Sequence, residues 1–448
     1  MKRRAGSSEV RDSLRTQLWP VPLAAAIGAV VLGQILPFLD RQLENNLSDA
    51  VSGLLFGGGP EAAQALMQTI AGSLVTVTSL TFSLTVVTLQ LASSQFSPRL
   101  LRTFSRDRFV HTTLGLFLAT FLFSLTVLRS IRSETSEGDG FVPKISITLA
   151  FGLTVASVIA LVFFLGHLAT QIRVETMMRD VHSEADEAIA RIFPEDGSPE
   201  PKPMLSPEWD ATRIESPVSG FLLGVDVKTA LEAAIESDTF VVIDAVPGAS
   251  LIAGVPFARA WALDRAPIDD ERKSVLSLGL GSSLSTGFER TSTQDAGFGL
   301  QQLLDVASRA LSPGVNDPTT AVHAIGHISA LLCSLAGLRT GPKFHADEEG
   351  RPRVVVGYPT FEDLLDQAMV QLRTYALDDP RTAGRVVRML RELSWVVRQG
   401  PQSAALGLEL DLLRAEITTA HVSPQTKELL LRDCAAVTAA SRGSWLSP

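Results

Sequence analysis

Residues 67–128 constrain the whole chain, because they read as a hydrophobic segment, a basic turn and a second hydrophobic segment. No charged residue occurs from 69 to 92, a length that crosses a hydrocarbon core of roughly 30 Å as a helix. Ser93-Ser94-Gln95-Phe96-Ser97-Pro98-Arg99 follows, with Arg102, Arg106 and Arg108 close behind. From 110 to 128 the chain again lacks Asp, Glu, Lys and Arg. Two such segments joined by a short cationic loop predict a transmembrane hairpin with the loop on the cytoplasmic side.

The first of these helices is rich in hydroxyls. At 100° per residue, Thr69, Gly72, Thr76, Ser79, Ser83, Gln90 and Ser94 share one stripe, and Thr78, Thr81, Thr85 and Thr88 share roughly the opposite one. One reading is a helix buried in a bundle, where small polar residues allow close approach and satisfy their own helix's carbonyls. The other has one stripe facing helices and the second lining a hydrated path, with Arg99 at its cytoplasmic mouth favouring anions.

Two further spans are expected. Residues 18–39 form the first, too long for the apolar core of a signal peptide, with Ala25, Ala29 and Gly33 as a close-packing face. Residues 145–172 form the fourth, with Gly152, Ala156 and Ala160 in the same role and His167 snorkelling near its cytoplasmic end. The acid-rich loop 40–66 is placed outside, so four spans put both termini in the cytoplasm. No acidic residue is expected inside the spans, which argues against a proton pump or cation antiporter. The net charge of -9 argues against nucleic acid as a partner. Cys333 and Cys434 are expected to be buried free thiols.

The fold class expected is an α-helical integral membrane protein with four transmembrane helices followed by a cytosolic α+β region. Its parts are a transmembrane domain with a cytoplasmic helix extension (1–193), a proline-rich linker (194–211), a small β-rich module (212–288) and a helical domain (289–448). Within 212–288, Phe221-Leu222-Leu223-Gly224-Val225 and Phe240-Val241-Val242-Ile243 are strand-like, with a helix near 228–237 between them. Ser216-Pro217-Val218-Ser219-Gly220, Pro247-Gly248 and Gly254-Val255-Pro256 together resemble barrel-sandwich domains of the lipoyl and biotinyl type. No lysine occupies 247–256, where such domains carry a modified lysine, so no cofactor is expected. Farther on, Asp317-Pro318, Asp379-Pro380 and Ser423-Pro424 each place a capping side chain before a proline suited to the first helical position. Residues 339–353 read as a charged loop.

The densest polar run is Glu289-Arg290-Thr291, Gln294-Asp295, Asp305, Arg309, Ser312-Pro313-Gly314 and Asn316-Asp317-Pro318. Asp305 and Arg309 can pair four apart on a helix, and Asp317 can cap the next one. The functional alternative is a polar pocket formed by Arg290, Gln294, Asp295, Asp305, Arg309, Asn316 and Asp317 that takes an ion, small ligand or partner chain. His323 and His327 share a helical face, but no third metal ligand stands at motif spacing. No phosphate loop, HExxH or GxSxG is present, so no enzyme class is indicated.

The texts Ser79-Leu80-Thr81-Phe82-Ser83-Leu84, Leu89-Gln90-Leu91-Ala92-Ser93-Ser94-Gln95-Phe96-Ser97-Pro98-Arg99 and Arg309-Ala310-Leu311-Ser312-Pro313-Gly314-Val315-Asn316-Asp317-Pro318-Thr319-Thr320-Ala321 carry a resemblance. They are similar to the bacterial membrane proteins grouped as domain of unknown function 2254. The resemblance spans about residues 15–440 and implies a bacterial inner-membrane location, with no activity or catalytic residue to transfer. The expectation is an oligomeric channel-like or transport-like protein with a cytosolic regulatory or assembly domain. The alternative is a membrane-anchored scaffold or sensor that binds a partner or small ligand. The bilayer, further copies of the chain and an ion or small ligand are the partners expected.

Overall fold

The computed structural model describes residues 19–43, 55–95, 107–132, 140–171, 173–194, 211–398 and 400–445. Its contacts divide the chain into two compact units, Met1–Arg173 and Val174–Pro448.

The first unit is built from α1 (Pro20–Leu43), α2 (Pro60–Gln95), α3 (Arg108–Leu128) and α4 (Lys144–Gln171). All four are long and apolar enough to cross a membrane. The other three pack chiefly on α3, which buries Leu114, Phe117, Phe123 and Val127. Two glycines let α1 approach α3 closely. A Cβ added at Gly33 would lie 2.8 Å from Thr126 Cβ, and one at Gly115 would lie 3.5 Å from Ala25 Cβ. The hairpin thus supplies the centre of the unit, but through its second helix.

Several boundaries differ from those read in the sequence. The helix expected from about 67 begins at Pro60 and runs 36 residues, a rise of about 54 Å that exceeds the hydrocarbon core. Helix α1 continues through Asp40, so an acidic residue does lie within a long apolar helix, contrary to expectation. Asp40 is buried and accepts from Ile145 N (2.9 Å), Ser146 N (3.0 Å) and Ser146 Oγ (2.7 Å). It therefore caps the first turn of α4, where backbone N–H groups lack helical partners. The stripe Gly152–Ala156 of α4 faces outward, and a Cβ at Gly152 would meet nothing within 4 Å. The inward face is Ile147, Ala150, Ser157 and Phe164, of which Ile147 and Phe164 bury the most apolar surface.

The second unit starts with α5 (Val174–Ile192), expected as an extension of the last membrane helix. It is a separate helix after a break at Arg173. Met177, Met178, Val181, Ala185 and Ile189 form a buried face against α8 (Phe298–Ala310) and α9 (Pro318–Ala336).

The β-rich part holds β1 (Thr212–Glu215), β2 (Gly220–Val225), α6 (Val227–Glu236), β3 (Thr239–Ile243), β4 (Ser250–Leu251), β5 (Pro256–Ala262), α7 (Asp270–Ser283) and β6 (Leu284–Gly287). Residues 339–353, expected as a loop, contain β7 (Lys343–Ala346) and the start of β8 (Pro352–Val356). Two open sheets form instead of one barrel-sandwich, with orders β1-β5-β3-β8-β7 and β4-β2-β6. The parallel pair β3–β8 ties residues 241–243 to 354–356, across the boundary drawn at 288. Val241, Ile243, Val354 and Val356 enter one core with Leu222, Leu276 and Leu280, so burial draws β8 into the sheet.

The remaining helices are α10 (Phe361–Ala376), α11 (Pro380–Val397), α12 (Pro401–Thr419) and α13 (Pro424–Ser441). The three Asp/Ser–Pro starts behave as the sequence indicates: Asp317, Asp379 and Ser423 accept from backbone N–H groups of their first helical turns. By length and composition α9 is a fifth candidate span, against four expected. It lies within the second unit, where Ala324, Ile325, Ile328, Leu332 and Leu335 are buried and α8 and α11 are its main neighbours.

Candidate functional site

The two polar stripes of α2 have different surroundings. Thr81, Thr85 and Thr88 are buried, Thr81 at 0% exposure. Thr69, Gly72, Thr76, Ser79, Ser83 and Gln90 are exposed in the chain by itself. The side chain of Ser94 and the whole of Arg99 lie outside the described residues. Several hydroxyls bond their own helix on both stripes: Thr76 to Gly72 O (3.3 Å), Thr78 to Leu74 O (2.6 Å), Thr81 to Val77 O (2.8 Å) and Thr85 to Thr81 O (2.9 Å). Hydroxyls satisfied in this way tolerate lipid or a neighbouring helix. Gln90 has a carboxamide, with two donors and an acceptor, and needs more.

Near the start of α3, Asp107 caps the helix by accepting from Phe109 N (2.8 Å). Its other oxygen pairs with Nε2 of His167, whose ring lies 4.9 Å from that of Phe109. His167 is therefore paired with a carboxylate and does not snorkel. His111, one turn on, is buried, and among the described residues its Nε2 has no hydrogen-bond partner.

In the second unit the structure gathers Arg290, Gln294 and Asp295. Arg290 donates from Nε to Asp295 Oδ2 (2.8 Å) and from Nη2 to Oδ1 (3.1 Å), and Gly297 N also donates to Oδ1 (3.1 Å). Asp295 is 4% exposed. Burial pushes its carboxyl above the usual range, with Arg290 and the backbone N–H groups pulling the other way. Gln294 Oε1 accepts from Val225 N (3.0 Å) and Tyr358 Oη (3.2 Å). Two glycines make room: a Cβ at Gly224 would lie 2.7 Å from the Gln294 amide carbon, and one at Gly248, where φ is +95°, would overlap the Asp295 carboxylate. Ser292 Oγ donates to Glu184 Oε1 of α5 (2.5 Å). The loop before α8 is thus a junction for β2, the Gly248 turn, the end of β8 and α5.

The other polar residues of the run serve elsewhere. Asp305 accepts from Gln301 Nε2 (2.8 Å). Gln301 also donates to Gln371 Oε1 (3.2 Å) and accepts from Gln367 Nε2 (2.8 Å), which makes a glutamine ladder between α8 and α10 that the sequence reading missed. Only the recurrence of Gln367 and Gln371 four apart could have signalled it. Arg309 stands in the last turn of α8, where a cation suits the helix dipole. Asn316 has φ +49°, a left-handed conformation that Asn tolerates. It closes the turn by donating its N–H to Ser312 O (2.9 Å). Asp317 caps α9 through Thr320 N (3.1 Å) and Thr320 Oγ1 (2.6 Å).

Those Thr320 hydrogen bonds hold the Asp317 carboxyl below the usual range. Its stabilisation is therefore present above the unfolded pKa of about 3.9 and is lost as pH falls through the lower folded value. Asp317→Ala is expected to cost about 0.5–2 kcal/mol in chemical denaturation at neutral pH. The gap to wild type should narrow in strong acid.

His323 and His327 stand one turn apart on α9. Among the described residues no group of three His, Cys, Asp or Glu side chains could hold a metal ion. His327 instead lies 5.1 Å, ring to ring, from His182 of α5.

The chain matches the family model described as "Predicted membrane protein (DUF2254)" over residues 15–392. It belongs to this family. An uncharacterized protein of Mycobacterium bovis and one of Mycobacterium tuberculosis are each 32% identical to it over 392 residues, which is 85% of this chain and 72% of theirs. No solved structure matches it. The family match takes in the α2 stripes, the Arg290–Asp295 junction and the Asp317 cap, and it ends near Glu392 in α11.

Proposed function

We propose that this family member is a homo-oligomeric, channel-like protein of the bacterial inner membrane. In this reading α1–α4 cross the bilayer, both termini face the cytoplasm, and the second unit is the cytosolic assembly or regulatory domain. The observation that carries it is the outward stripe of α2, with Thr76, Ser79, Ser83 and Gln90 exposed although α2 already buries a different polar face. A Gln90 amide facing hydrocarbon lacks partners at a cost of a few kcal/mol. Stripes from several copies facing a common axis would supply partners or water and would leave the apolar outer faces of α1 and α4 to lipid. Four spans also fit the α9 surroundings, since that helix packs its buried face on α8 and α11 of the second unit.

Reconstitution in liposomes tests this reading. Wild-type protein is expected to give an ion flux that Gln90→Leu changes at least severalfold, while Val162→Leu on the exposed apolar face of α4 leaves it unaltered. No flux above empty liposomes, or a flux indifferent to Gln90, would favour the anchored sensor reading. That second reading has one specific support, a cavity of about 190 Å³ among α11, α12 and α13 of the second unit.

A further inference from the structure

Helix α5 is held in two different ways along its length. Its C-terminal half is pinned by polar and close contacts. Ser292 Oγ donates to Glu184 Oε1, Lys343 Nζ donates to the Ile192 carbonyl, and a Cβ added at Gly299 of α8 would lie 2.4 Å from Ala185 Cβ. The N-terminal half carries the chain on from the fourth span, buries Met177, Met178 and Val181, and reaches His182. There two imidazoles meet: the His182 ring lies 5.1 Å from that of His327 on α9. His182 Nε2 is 3.3 Å from Asp186 Oδ2, and among the described residues its buried Nδ1 has no hydrogen-bond partner.

A first and a second proton on this pair meet different surroundings. A proton on His182 has the Asp186 carboxylate beside it. A proton on His327 is penalised by burial and repelled by His182 and by His323, one turn away on α9. Burial is the largest of these causes, and together they hold His327 below the usual histidine range. Its stabilising contribution is therefore present above the unfolded value of 6.5 and is lost as pH falls through the lower folded value. The charges of the neighbouring helices are engaged elsewhere. The buried faces of α8 and α10 hold no charged residue, Asp305 of α8 accepts from Gln301, and Arg309 stands in the last turn. Arg385 of α11 comes near Gly326 but pairs with Glu392, which also accepts from Ser329. On α5 itself, Arg179 lies 3.5 Å from Asp180.

We infer that the His182–His327 pair is an acid-operated latch on the first turns of the second unit. With both rings neutral, the N-terminal half of α5 stays docked on α9. With both charged, like charges face each other across a partly desolvated contact. This half then undocks while the half pinned through Glu184, Ala185 and Ile192 stays in place. Short helices owe most of their stability to the face they pack, so the undocked turns also fray. The stretch that acid frees is the one by which the chain passes from the fourth span into the second unit. The inference concerns the second unit alone and does not depend on the channel-like reading.

Amide hydrogen exchange on the full-length protein in detergent tests it, with rates corrected for the intrinsic effect of pH. From pH 7.5 to pH 5.0, amides of 178–183 are expected to lose protection at least tenfold, while those of 186–192 and of α13 keep theirs. His327→Gln removes the second proton and should hold the protection of 178–183 constant over that range. His182→Gln removes the opposing charge and should do the same, and it decides alone if His327→Gln loses protection throughout the chain at pH 7.5. His327→Lys should leave 178–183 poorly protected even at pH 7.5. His421→Gln, at a histidine whose side chain is 92% exposed, should keep the wild-type response. Three results would overturn the inference: no pH response of 178–183 in wild type, a response that persists in the Gln variants, or a loss shared equally by 186–192 and α13.

Discussion

Asp295→Ala is expected to lower the stability of the second unit by about 3–5 kcal/mol, the usual result of removing one partner from a buried ion pair. The reason lies in what remains. Arg290 loses the acceptor for two of its N–H groups, Gly297 loses the acceptor for its backbone N–H, and the Gly248 turn loses the carboxylate it closes on. Asp295→Asn keeps the shape and one acceptor, so it should lose less. Urea denaturation followed by tryptophan fluorescence measures the difference. Because burial raises the Asp295 carboxyl, its stabilising contribution is fullest below the unfolded pKa and declines as pH rises through the folded value. The net contribution of Asp295 is thus smallest where it is ionised, because the pairing with Arg290 only partly offsets the burial of its charge. If Asp295→Ala left stability unchanged and altered ion flux or ligand binding, the junction would be a functional pocket and not a structural joint.

Arg373→Met should have an effect of similar size by a different route. Arg373 of α10 is 9% exposed and pairs with Glu409 of α12, itself 6% exposed, and with Glu416 at 3.1 Å. Methionine keeps much of the packing and removes the charge, leaving Glu409 buried near Asp366 and Glu416. Burial already raises the Glu409 carboxyl against the pull of Arg373, and its removal raises it further. The predicted loss is about 3–5 kcal/mol at pH 7. A group with a raised folded pKa contributes its full stability only below its unfolded pKa, about 4.3 for Glu. The deficit should therefore shrink as pH falls toward that value. A deficit constant from pH 7 to pH 4 would show that lost packing, not the stranded carboxylate, is responsible.

The four long helices were legible because apolar runs of that length have few other folded destinations, and the caps of α9, α11 and α13 because Asp-Pro and Ser-Pro have local causes. Long-range facts were not. Nothing local in Asp40 says that it reaches the start of α4, more than a hundred residues on. The β7–β8 hairpin was obscured because Lys343, His345 and Arg351 give its text a loop-like charge, whereas the Val354-Val355-Val356 run acquires its meaning only beside β3. In the candidate site, each residue of the 290–317 run was legible by type. Their division into a junction, a glutamine ladder and a cap depends on Gly224, Gly248 and Tyr358, which stand far from them in sequence. The two α2 stripes were equally plausible inward faces until packing on α3 buried Thr81, Thr85 and Thr88.

The central proposal is that the outward stripe of α2 meets other copies of the chain around a hydrated axis. Single cysteines at Thr76, Ser79 and Ser83, and at Thr81 and Thr85 as inward controls, test it in a Cys333→Ala, Cys434→Ala background. In native membranes, the first three positions are expected to form intermolecular disulfides on mild oxidation and to react with a water-soluble thiol reagent. The two controls should do neither. Protection of all five positions without crosslinks would place the stripe against lipid and contradict the oligomeric, channel-like account.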